Sequence, residues 1–170
     1  MNAQAESIVA AIRELASEDI KAREAARNRL AEAGPESTWH LIQALHPTPI
    51  KARREVLKLL AKRADADATD VFMELLEDED SATRHLAAEG LAALEEVGLD
   101  RILATLEEFP KNEHLQRGTL HVLHELRHGR LIEVVRPVLD AFSGPVPEID
   151  VPLAALEARN MRRQIKRTKG

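Results

Sequence analysis

Four of the seven histidines in this chain, His114, His121, His124 and His128, fall in one short stretch. On a helix advancing about 100° per residue they share a stripe lying roughly 180–260° around from Leu115. Leu126, Thr119 and Val122 fall within about 40° of Leu115, so the histidines face away from the apolar side. Upstream, His85 and Glu89 stand four residues apart, on successive turns of one helical face. Imidazole with imidazole or carboxylate, at i, i+4 and across neighbouring helices, is the chemistry of a zinc or iron site. His85, Glu89 and His121 are the candidate ligands, provided their helices pack about 8–10 Å apart. Without buried groups to orient the rings such a site binds weakly, so the plainer expectation is a wet polar surface. Other chemistry is scarce. There is no Cys, hence no disulfide, thiolate nucleophile or thiolate metal site. No Gly-rich phosphate loop, nucleophile elbow or pair of inward carboxylates is present. No cofactor is expected.

Whatever positions these side chains is helical. Of the 170 residues 26 are Ala and 23 Leu, whereas Phe, Tyr and Trp together supply 2%. Ala and Leu favour helix; sandwiches and barrels want β-branched and aromatic residues, which excludes the all-β folds. The length suffices for one domain with a real core. No apolar run approaches the ~18 residues of a membrane span, and no leader pattern stands at the start, so a soluble cytoplasmic protein is expected. The net charge of −5 is uneven. Residues 158–170 carry Arg159, Arg162, Arg163, Lys166, Arg167 and Lys169 with no acid, leaving the remainder at −11. So acidic a body is a poor nucleic-acid binder, and only the tail could supply a basic surface. Its pattern predicts a frayed, solubilising end, with an anionic docking element as the alternative.

An internal repeat organises the helices. Arg23, Arg53 and Arg84 align, followed three positions later by Ala26, Val56 and Ala87, and seven later by Leu30, Leu60 and Leu91. Eight positions before each Arg stands Leu15, Leu45 or Leu76. A fourth copy has Gln116, Thr119 and Leu123, with Leu106 set back by an insertion near Phe109-Pro110. Each unit reads as two helices joined by an acidic turn whose Asp or Ser can cap the second helix. Gly34, Gly98 and Gly129, with Asp65 in copy two, are expected as left-handed residues ending second helices. Pro35, Pro47 and Pro49 mark boundaries between helices. The copies span about 6–34, 36–65, 68–98 and 99–129, and a degenerate fifth spans 130–167. In that fifth unit residues 130–142 resemble a first helix, and a loop with Pro145, Pro147 and Pro152 leads to a last helix over 153–166. Such units bury their apolar faces only by stacking. Leu60 and Leu91 are therefore expected at buried interfaces. The recurring arginines are expected to pair with turn carboxylates of an adjacent repeat rather than form a basic ladder.

The run Asp80-Ser81-Ala82-Thr83-Arg84-His85-Leu86-Ala87-Ala88-Glu89-Gly90-Leu91 resembles the second helix of a short bacterial HEAT repeat of the phycobilisome-lyase type, and 19–30 is a looser match. The resemblance covers residues 6 to about 129. It implies an all-α fold, a right-handed α-solenoid of about five stacked helix pairs, in which second helices line a concave groove. It thereby places Lys51, Arg54, Lys58, His85, Glu89, Arg117, His121 and His124 on that groove. The expected function is a non-enzymatic scaffold binding a polar or acidic protein partner there. The alternatives are a metal-dependent enzyme or accessory lyase, and a nucleic-acid-binding solenoid. An iron-dependent hydroxylase of the deoxyhypusine type would carry His-Glu pairs in several repeats; here only His124-Glu125 has that dipeptide. Trp39 and Phe72 lie on first helices. Trp39 is expected to seal the convex side between repeats, with a partner anchor as the alternative.

Overall fold

The computed structural model describes residues 3–46, 49–108 and 113–169, with side chains over 5–46, 49–108 and 115–167. Its helices are α1 (Ala3–Glu14), α2 (Ile20–Glu32), α3 (Thr38–Ala44), α4 (Ile50–Arg63), α5 (Thr69–Leu75), α6 (Ser81–Ala93), α7 (Glu96–Glu108), α8 (Glu113–Leu126), α9 (Ile132–Phe142) and α10 (Pro147–Lys169). Single 3-10 turns, Pro35–Ser37 and Ala66–Ala68, lead into α3 and α5. No strand occurs among the described residues. Pro47, the Phe109-Pro110 insertion and the side chain of His114 lie outside what is described.

The repeat register is visible in the core. Ala26, Val56, Ala87 and Thr119 are buried, as are Leu30, Leu60, Leu91 and Leu123, and Leu15, Leu45, Leu76 and Leu106. Thr119 stands where Ala or Val stands elsewhere; its hydroxyl donates to the Gln116 carbonyl at 2.9 Å, so the buried hydroxyl is satisfied. Second helices α4, α6 and α8 pack side by side, and first helices α1 and α3, and α5 and α7, pack in the other layer. Asp19 caps α2 by accepting from the Lys21 N–H at 2.9 Å. Asp80 caps α6 by accepting from the Thr83 N–H at 2.9 Å.

The arginines at the repeated position are structural, by a route the spacing does not show. Arg23 donates to the Ser17 and Glu18 carbonyls at 2.7 and 3.0 Å. Arg84 donates to the Asp78 and Glu79 carbonyls at 2.7 and 2.9 Å. Each tidies the turn of its own repeat. Arg53 alone reaches into the next repeat, to the Asp78 carboxylate at 3.1 Å.

Three expectations need correction. Of the four proposed left-handed residues only Gly34 has positive φ, at 63°. Ala64 (49°) and Glu95 (47°) hold that conformation instead, and Asp65 caps the next 3-10 turn. Gly98 lies inside α7 because a Cβ there would sit 2.0 Å from the Leu91 carbonyl oxygen; close approach, not backbone freedom, requires glycine. Secondly, the last pair reverses the repeat. Helix α9 packs against α8, a second helix, while α10 packs against α7, a first helix.

Thirdly, the basic tail is neither frayed nor preceded by a three-proline loop. Helix α10 runs from Pro147 to Lys169, with Pro147 at its start and Pro152 just past its first turn, where few hydrogen bonds are forfeited. Val151, Ala155, Ala158 and Arg162 form its buried stripe. Arg162 bonds Asp100 at 2.5 Å and the Glu96 carbonyl at 3.3 Å, Lys166 bonds Asp100 at 2.8 Å, and Arg159 pairs with Glu107. Burial works to raise the Asp100 pKa, but the hydrogen bonds from Arg162 and Lys166 outweigh it and hold the carboxyl below its usual value. The acids Glu96, Asp100 and Glu107 recur at i, i+4 and i+11 along one face of α7. That acidic stripe was the signal that the basic helix had a seat.

Candidate functional site

The outward faces of α4, α6 and α8 carry the candidate side chains, and the structure sorts them into two regions. On the α2–α4 side the cations are matched by acids. Lys51 bonds Glu18 at 3.1 Å, and that hydrogen bond holds the Glu18 carboxyl below its usual range. Arg27 and Lys58 bond Glu55 at 2.7 and 3.0 Å. Burial works to raise the Glu55 pKa, and the two hydrogen bonds overcome it. Arg54 forks onto Asp80, Nε to Oδ2 at 3.0 Å and Nη2 to Oδ1 at 2.6 Å. The Arg54 hydrogen bond, with those from Thr83, depresses the Asp80 carboxyl far below the ordinary Asp value. Arg54 therefore ties α4 to the cap of α6, a bidentate arrangement that a lysine could not reproduce.

On the α6–α8 side lies a recess of about 690 Å³, lined by His85, His121, Arg84, Arg117 and Gly118 opposite the acidic turn Glu77–Glu79. Gly118 lets α8 close on the preceding repeat, since a Cβ there would lie 2.9 Å from the Leu76 Cβ. That approach brings His85 Nδ1 within 2.6 Å of His121 Nε2, with ring centroids 4.8 Å apart. So short a nitrogen–nitrogen contact needs a proton between the rings, one donating and one accepting. Glu89 lies 3.2 Å from His85 Nε2, and Glu125 lies 4.0 Å from His121 Nε2. The sequence thus carries two His-x3-Glu pairs on adjacent second helices. Each pair is about half-exposed.

His85, Glu89 and His121 do come together, but not as three metal ligands. Glu89 faces the far nitrogen of His85, so it orients the ring and does not share its open side. An ion held at about 2.0–2.1 Å by two nitrogens in tetrahedral geometry keeps them roughly 3.3 Å apart, wider than the 2.6 Å found. Among the described residues no group of three or more His, Asp or Glu side chains is placed to hold a metal ion. Two further histidines of the stripe, His124 and His128, are engaged elsewhere. Arg127 donates to His128 Nε2 at 2.8 Å and stands 3.2 Å from His124 Nδ1, an arrangement at the C-terminal end of α8 that sequence reasoning missed. Spacing at i, i+3 and i+4 was its only sign.

Comparison with known proteins bears on the repeats themselves. A family model described as HEAT repeats matches residues 38–127. No curated protein and no solved structure matches the chain. No helix among the described residues is long and apolar enough to cross a membrane.

Proposed function

The chain belongs to the HEAT-repeat family, and from that premise we propose that it is a non-enzymatic scaffold holding a protein partner along its second-helix face. Curved stacks of helix pairs offer extended surfaces of this kind. One observation carries the assignment to a particular place. The α6–α8 recess sets His85, His121 and Arg117 against the acidic turn 77–79 around an open volume of about 690 Å³. A polar partner segment carrying charges of both signs suits that lining. Three of the tail's six cations, Arg159, Arg162 and Lys166, are committed to α7, which counts against a nucleic-acid reading.

The test is affinity capture with the full chain, followed by binding of the captured partner to Arg117→Glu and His121→Ala variants, with Lys58→Glu, outside the recess, as the control. All three side chains sit on the outward face, where substitution usually changes stability by less than about 0.5 kcal/mol. Binding should weaken in the two recess variants at unchanged melting temperature. A partner that binds both recess variants like wild type would place the interaction elsewhere.

A further inference from the structure

We propose that a recess beside Trp39, in the first-helix layer, is a second docking site, and that it takes an acidic peptide segment of a partner presenting a bulky apolar side chain. Trp39 is the chain's single tryptophan and is 63% exposed. The expected seal between repeats therefore does not form. Leu41 and Leu45, roughly 200–240° further around the helix, take the core positions of α3 and are buried. The indole lines a recess of about 670 Å³, walled by Val9 and Ile12 of α1, by Ala16 in the turn after it, and by Pro49 and Ala52 at the start of α4. That volume falls within the ~300–1,000 Å³ typical of ligand clefts, and an exposed Trp over an apolar floor is how interface anchors are built.

The polar part of the lining specifies the occupant's flank. His40 packs its ring against Trp39, centroids 5.0 Å apart at 87°, and with Gln43 forms part of the wall. Arg13 stands on the rim, and no carboxylate lines the recess. Apolar insertion combined with a flanking acid therefore fits, and a basic flank is repelled.

Because Trp39 is the only tryptophan, its emission reports occupancy directly. The probes are acetylated, amidated hexapeptides added to the full chain: Glu-Asp-Phe-Leu-Asp-Glu, the same core flanked by Lys, and the acidic version with Ala-Ala at its centre. The acidic Phe-Leu peptide should shift the emission saturably. The Lys-flanked peptide should bind at least tenfold more weakly, and the Ala-Ala peptide should give no saturable change. Arg13→Glu, at an exposed site that should leave the fold unchanged, should invert the charge preference; Ala16→Leu should block binding by filling the floor. Arg117→Glu should have no effect, which separates this site from the α6–α8 recess. The proposal is overturned by no saturable shift up to millimolar peptide, or by equal response to both flanks. It is also overturned by an emission shift that follows protein concentration alone, which would mean a second copy fills the recess.

Discussion

Replacing Gly98 by Ala tests how tightly α7 is set against α6. On propensity alone the change should stabilise, by at most about 1 kcal/mol, because Ala is a better helix former than Gly. The geometry opposes this. The new Cβ would lie 2.0 Å from the Leu91 carbonyl oxygen and 2.9 Å from its carbon, against ordinary contact beginning near 3.4 Å. Both atoms are backbone, so no side chain can swing aside, and roughly 1.4 Å must come from prising the two helices apart. Overpacking of this kind costs about 1–3 kcal/mol, occasionally more. The steric term wins, and the expected net loss is about 1–2 kcal/mol. For a domain of this size that lowers the melting temperature by roughly 2–8 °C. Urea unfolding followed by far-ultraviolet circular dichroism measures it, with the slope checked for constancy. Gly118→Ala is the control. The same propensity gain meets Leu76 Cβ at 2.9 Å, so a smaller adjustment is needed and the variant should lie between wild type and Gly98→Ala. Should Gly98→Ala match or exceed wild-type stability, the close approach inferred between α6 and α7 is wrong.

Further outcomes follow from the same contacts. Leu91→Ala, at a fully buried position, should destabilise by about 2–5 kcal/mol in the same urea assay. Arg54→Glu should lower the melting temperature, unlike Lys58→Glu, because it sets a carboxylate against Asp80 at the cap of α6; equal melting temperatures would contradict the clamp. Truncation before Arg159 should destabilise the chain and expose α7 to proteolysis, since three ion pairs to Glu107 and Asp100 are lost; an unchanged melt would restore the picture of a loose tail. Asp80, Glu55 and Asp100 all have folded-state pKa values below their ordinary 3.8, 4.5 and 3.8. Their stabilisation should therefore be complete at neutral pH and fall away as pH drops below about 4 and on through the depressed folded values. Urea midpoints at pH 7, 4 and 3 would show the decline, and Asp80→Asn should shrink it.

Much of this molecule is local in origin, and that part was legible. The periodic Leu and Ala positions named the core of four helix pairs, because a helical face must be buried wherever it recurs. Asp80 announced a helix start through its side chain, and the wheel placed His121 and His124 outward on α8, whereas His128 falls in the turn past its end. The candidate site was legible only as a set of residues. That Glu89 serves the far nitrogen of His85, and that Arg127 occupies His124 and His128, depends on side-chain rotamers, which spacing does not report. Trp39 was misjudged because α3 is only seven residues long. So short a helix buries one face, and Leu41 and Leu45 claim it.

By itself the chain determined that it would be helical, repetitive and stacked, since helix propensity, capping and apolar period act over a few residues and need no knowledge of the rest. Only the tertiary structure decided which charges were available for anything else. Arg54 and Arg162 look alike in sequence to Lys58 and Arg163, yet the first two are fastened to Asp80 and Asp100 across 26 and 62 residues. The reversal of α9 and α10 has the same origin. The acidic stripe of α7 and the basic stripe of α10 gain by meeting, and charge pairing at that separation is settled by packing, not by spacing along the chain.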